Sequence, residues 1–199
     1  MKYLFFILIV FLSSFNAYSQ YPVLDLDDNK GNPQNGAYYQ DTNSLLDPFT
    51  GTYLLNSNGV YFKIVLQKTV MAFNGKYYED LLIGEYEYSD QNGNQINTLP
   101  NFNQTLQYKW QHNIDGNSII DSNISPRCDE CLPNEIRLRV GLNDPITGYT
   151  SAVFIRRITV NNQEALKLFI HGYSTTRKEG SPPNPKPTVP HGTYILLKQ

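Results

Sequence analysis

Residues 77–89 read YYEDLLIGEYEYS, and their alternation decides the fold class. Tyr78, Asp80, Leu82, Gly84, Tyr86 and Tyr88 fall on one face of an extended chain. Tyr77, Glu79, Leu81, Ile83, Glu85 and Glu87 fall on the other, and the glutamates mark that second face as the wetter one. Gly84 in mid-strand signals a bend, a bulge or a close backbone approach.

Working outward, the same period recurs along the chain. Gly51–Leu55 reads as a strand, Asn58-Gly59 as a hairpin turn, and Val60–Leu66 as the alternating return strand. After the turn at residues 90–93, residues 94–99 run back as far as Pro100. Thr105–His112 (TLQYKWQH) alternates as a strand carrying Leu106, Tyr108, Trp110 and His112 on one face. A turn at Asp115-Gly116-Asn117 precedes Ile119-Ile120. Glu135–Leu142 points Ile136, Leu138, Val140 and Leu142 inward and Arg137 and Arg139 outward. Strands at 149–160, 164–172 and 193–198 complete the set, the last following a stiff proline-rich connection from Pro182 to Pro190.

Many strands joined by short turns predict an antiparallel all-β fold. The candidates are a single closed barrel of the calycin or lipocalin kind and a two-sheet sandwich. An internal echo favours the barrel: Gly51-Thr-Tyr-Leu-Leu55 opens the β region and Gly192-Thr-Tyr-Ile-Leu-Leu197 closes it. Strands of matching character at the two ends can pair and remove both edges.

The N-terminus has the form of a secretory signal over residues 1–19. Lys2 precedes the apolar run Leu4–Leu12, and Ala17 and Ser19 stand at −3 and −1 of the cleavage site. Residues 20–48, with Pro22, Pro33, Pro48 and no sustained period, read as an irregular arm, and 49–199 as a single β domain. Lys2 is the one charged residue of the signal, so the remainder carries 15 basic and 18 acidic side chains and a net charge of −3. A mildly acidic chain without a basic tract is a poor partner for nucleic acid. The expected location is therefore the periplasm, the cell surface or the medium, with no transmembrane span in the mature chain.

Tyr supplies 15 of the 26 aromatic side chains. Phe62, Tyr86, Tyr88, Trp110 and Phe154 are the residues expected to line a cavity if they point inward; if they pack on one another instead, the interior is an ordinary core. Cys128-Asp-Glu-Cys131 reads first as a disulfide across a tight loop, with free thiols, a redox pair or half a metal site as alternatives. Asp129, Glu130 and the flanking Pro126 and Pro133 oppose a reactive thiolate, and no second ligand pair exists for zinc. Asp25-x-Asp27-x-Asn29 lacks the Gly and Glu of a calcium loop. His112, His171 and His191 have no neighbour at metal-ligand spacing, and Ser151 and Ser174 have no nucleophile-elbow context. No metal, cofactor or catalytic residue is therefore assigned. A cleft gathering several of Asp80, Glu85, Glu87, Arg156 and His171 would point to an enzyme.

Three stretches carry a resemblance: Asp47-Pro-Phe-Thr-Gly51-Thr-Tyr53, Tyr77–Tyr88, and Pro190-His-Gly-Thr-Tyr194. Together with Asn35–Tyr39 they resemble a family of uncharacterised exported proteins of flavobacteria and relatives. The resemblance implies export and fold but no activity. More distantly, Phe49-x-Gly51-x-Tyr53 is similar to the Gly-x-Trp opening of a lipocalin-type barrel, with Tyr53 in place of the Trp. The functional expectation is a non-catalytic barrel that binds a small apolar or amphipathic ligand. The alternative is an envelope or surface protein with a packed core that binds protein or glycan through loops or an aromatic face.

Overall fold

The computed structural model describes residues 22–28, 32–172 and 186–199. The expected signal (1–19) and Pro182, Pro183 and Pro185 lie outside these residues. The strands are β1 (Val23–Asp25), β2 (Tyr38–Gln40), β3 (Gly51–Ser57), β4 (Val60–Phe73), β5 (Tyr78–Ser89) and β6 (Gln95–Asn97). They continue with β7 (Ile114–Ile120), β8 (Arg137–Asp144), β9 (Tyr149–Val160), β10 (Gln163–His171) and β11 (Gly192–Lys198).

β3, β4, β5, β7, β8, β9, β10 and β11 close in that order into an eight-stranded antiparallel up-and-down barrel. The echo between the first and last barrel strands is a real contact: Leu54 pairs with Leu197 and Tyr53 with Lys198. The second closure joins β5 to β7 through Leu82, Ile83 and Gly84 opposite Gly116, Asp115 and Ile114. The core occupies the inside of this ring, with Phe62, Ile64, Leu66, Leu82, Tyr86, Leu138, Leu168 and Leu196 all buried.

Two glycines make the barrel wall possible. A Cβ on Gly84 would sit 2.6 Å from Leu66 Cδ2 and 2.7 Å from the Val65 carbonyl. One on Gly116 would meet Val140 Cα at 2.8 Å and the Arg139 carbonyl at 2.9 Å. Of the readings for Gly84, close backbone approach is the one observed. Gly116 is not in a turn but within β7, where the pairing with β8 shifts register between Asp115 and Ser118.

The Thr105–His112 segment corrects the sequence reading. It is not a strand but contains a short 3-10 turn, Lys109–Gln111. The physical reason is that β5 has no free edge to offer: one side is taken by β4, the other by β2, β7 and β6 in succession. The arm is also more ordered than its composition suggests. β1 and β2 pair in parallel, β2 adds to the start of β5, and Ala37, Tyr39, Leu46 and Phe49 join the core. Asp41 holds the arm down, accepting from the Leu45 N–H at 2.7 Å, the Leu46 N–H at 3.0 Å and Lys68 Nζ at 2.8 Å. At the opposite end Val189 is buried, and the Thr188 N–H donates to Asp144 Oδ2 at 2.6 Å. Side chains from outside the ring thus pack into the core at both ends.

Candidate functional site

The five residues expected to line a cavity do not form one site. Phe62, Tyr86 and Tyr88 do meet inside the barrel, but they meet one another. The Phe62 ring lies edge-on to Tyr86, Tyr88 and Tyr194, with centroids 6.3, 5.5 and 5.3 Å apart. Edge-to-face packing is the favoured aromatic arrangement, because the positive rim of one ring meets the negative face of the next. The hydroxyls are occupied as well. Tyr86 donates to the Asn143 carbonyl at 3.0 Å, Tyr88 to Asp90 at 3.1 Å and Tyr194 to the Pro190 carbonyl at 2.8 Å. Burial pushes the Tyr86 and Tyr88 phenols well above their ordinary range, so they remain neutral donors.

Trp110 and Phe154 lie outside the barrel. Trp110 is 45% exposed on the 3-10 turn and stacks on Tyr108. Phe154 of β9 faces outward and stacks on its cross-strand partner Phe169 of β10, which in turn stacks on His171. Phe169 is 41% exposed and Ile195, on the adjacent β11, 40%. The result is an apolar strip on the outer wall.

A cationic row borders this strip. The register places Arg137 of β8 opposite Arg156 of β9, and Arg156 opposite Lys167 of β10. Like charges directly opposite one another on a sheet destabilise it unless anions intervene. The loop between β7 and β8 supplies the anions. Glu135 pairs with Arg156 through Nε and Nη2, while Glu130 reaches both Lys167 and Arg156 Nη1. Cys128 and Cys131 bracket Glu130 with Cα atoms 5.4 Å apart and are joined as a disulfide. Burial opposes ionisation of Glu135, but Arg156 wins and holds its carboxyl below the usual range.

Arg137 faces outward, as expected, but the loop between β7 and β8 covers it. Arg137 is 3% exposed. Its Nη1 donates to the Pro126 carbonyl at 2.9 Å, its Nη2 to the Ser122 carbonyl, and its buried Nε has no hydrogen-bond partner among the described residues. Burial pulls this guanidinium below its ordinary value, against the opposing pull of Glu135. An unpaired buried donor costs about 1–3 kcal/mol, so such groups usually have a reason to be there.

Two depressions flank Glu130 and Arg156. A recess of about 190 Å³ is lined by Arg127, Arg137, Arg156, Lys167, Phe154 and Phe169, with Glu130 as its single acid. A wider groove of about 830 Å³ runs between the arm and β9, past Leu45, Pro48, Leu132, Ile136 and Ile158. Sequence reasoning singled out Phe154 and the cysteines. It missed the cationic row, because that row exists only through strand register.

The residues whose convergence would have marked an enzyme are dispersed. Asp80 lies beside the arm, accepting from the Tyr38 hydroxyl at 2.6 Å and the Asp41 N–H at 3.0 Å. Glu85 is not on a wetted face but fully buried, 2.8 Å from His112 Nδ1 and accepting from Asn113 Nδ2 at 2.7 Å. This cluster ties the 3-10 turn to the barrel wall. Arg156 belongs to the recess and His171 to the outer strip. Among the described residues no group of three or more His, Cys, Asp or Glu is placed to hold a metal ion. Nor is any described helix long and apolar enough to cross a membrane.

Compared with known proteins, residues 1–199 match the model of a family described as of unknown function (DUF6705). No curated protein and no solved structure matches the chain.

Proposed function

From the premise that the chain belongs to DUF6705, a family of unknown function, we propose that it is an exported, non-catalytic interaction protein that docks a partner protein on the outer face of its barrel. The observation that carries this reading is the contrast between the two aromatic clusters. Phe62, Tyr86, Tyr88 and Tyr194 are consumed by packing on one another, whereas on the outer wall Phe154 is stacked under Phe169, and Phe169 and Ile195, the latter one row away opposite Lys167, are left open to solvent. The interior therefore serves as scaffold. The strip, rimmed by Arg156 and Lys167, has the composition of a protein interface, where aromatic and arginine side chains are enriched. Its outward Phe and Ile side chains carry no hydrogen-bonding groups. They suit apolar side chains better than the hydroxyl-rich surface of a sugar. Export rests on the Lys2, Leu4–Leu12 and Ala17-x-Ser19 pattern.

The test is site-specific photocrosslinking in the source cell, with a benzophenone amino acid at position 169 and, as control, at exposed position 92. The expected result is a discrete protein adduct at 169 that disappears in the Phe154→Ser background and never forms at 92. Equal, diffuse labelling at both positions would refute the docking face. A native mass that exceeds the chain by a small molecule, lost on denaturation, would instead restore an interior ligand. Recovery of the chain outside the cytoplasm with Gln20 at its N-terminus would support export.

A further inference from the structure

Resting on the docking face just proposed, we infer that the recess beside it is a carboxylate seat, that Glu130 of the disulfide loop occupies the seat's mouth in the free protein, and that an acidic side chain of the partner displaces it. The argument begins with charge. Arg127, Arg137, Arg156 and Lys167 line the recess with Glu130; Asp129 pairs with Arg127 and Glu135 with Arg156, so Arg137 and Lys167 are the cations that only Glu130 is left to answer. Strand register forces Arg137, Arg156 and Lys167 into one row, so the row needs anions wherever they come from.

Glu130 and Glu135 are not equivalent in that role. Glu135 is well shielded and clasps Arg156 with both oxygens, a fixed structural pair. Glu130 is exposed, divides its carboxylate between Lys167 and Arg156, and extends from a four-residue loop. Exposed ion pairs of this kind contribute little, so Glu130 is easily exchanged for another carboxylate. What it leaves unsatisfied is the second observation. Arg137 lines the recess, is almost wholly buried, and keeps one N–H without a partner among the described residues. A planar guanidinium with a spare donor is suited to a carboxylate that enters further than Glu130 does. The Phe154 and Phe169 rings that wall the recess are also the start of the apolar strip. The matching ligand is therefore an acidic residue next to an apolar one on an extended segment of the partner.

The test is an NMR titration of the whole protein with acetyl-Phe-Glu-Phe-Glu-amide and its Gln counterpart, observing the Arg137 Nε–H and the amides of Phe154, Phe169 and Ile195. The seat predicts that the acidic peptide shifts both the strip and Arg137 Nε–H. Glu130→Gln should tighten it about fivefold, the size of a displaced surface ion pair, and Lys167→Met should weaken it by a similar factor. Because Arg137→Leu risks unfolding the loop, Lys167→Met carries the loss-of-function arm. Shifts confined to the strip, equal for both peptides and indifferent to Glu130→Gln, would overturn the seat while leaving the docking face standing. No shift anywhere with either peptide would overturn both. Binding of an oligogalacturonate in place of the peptides would overturn the assignment to a protein partner.

Discussion

The packed interior is tested most directly by Phe62→Ala. Phe62 is fully buried in mid-barrel and touches three rings edge-on. Losing a buried phenyl forfeits its transfer free energy, and each edge-to-face pair adds about 0.5–1.5 kcal/mol beyond area. The neighbours cannot easily collapse into the gap, because Tyr86, Tyr88 and Tyr194 are each tethered through a hydroxyl. The expected loss is therefore in the upper part of the usual range for Phe→Ala, about 4 kcal/mol. For a domain of this size that corresponds to a fall in Tm of about 8–16 °C. Equilibrium urea unfolding monitored by far-UV circular dichroism measures it, with the slope m checked for constancy between wild type and variant. A loss below about 1 kcal/mol would mean that the ring borders empty space, and would refute the packed interior and the functional reading built on it.

Three further perturbations probe the frame. Gly84→Ala should cost about 1–3 kcal/mol in the same assay, since the new methyl falls within 2.7 Å of the Val65 carbonyl; an unchanged midpoint would show that the β4–β5–β7 approach is looser than described. Glu85→Leu should cost about 3 kcal/mol by stranding His112 and Asn113, and His112→Phe in the same background should recover part of it, a coupling that a double-mutant cycle reads directly. Asp115 titrates at about 6, raised first by burial and then by Glu79. Its native form thus holds a proton that the unfolded chain gives up near pH 4, so its contribution to stability falls as pH rises from about 4 to 6. Asp115→Asn should accordingly stabilise the protein at pH 7.5 but not at pH 4; equal effects at both would refute the assignment. Asp144, pulled low by the Thr188 and Thr147 donors despite its burial, works in the opposite sense, and Asp144→Asn should cost stability at pH 7.5.

The all-β class and most strands were legible from period alone, because a strand that buries one face must alternate, while period left barrel and sandwich both open. The Gly51 and Gly192 segments even announced which strands close the ring. The same alternation misled at Thr105–His112, where the pattern is strand-like but β5 has no edge left for it. It misled again at Glu85, whose charge argued for water although a His and an Asn close over it. The Cys128–Cys131 pairing followed from spacing. Local sequence determines which residues turn, extend and alternate, since those choices depend on near neighbours along the chain. The row of Arg137, Arg156 and Lys167, the unpaired N–H beneath it and Glu130 above it were decided only by the tertiary structure. Cross-strand register and loop return bring together residues 130, 137, 156 and 167, and no local property of any one of them specifies the others.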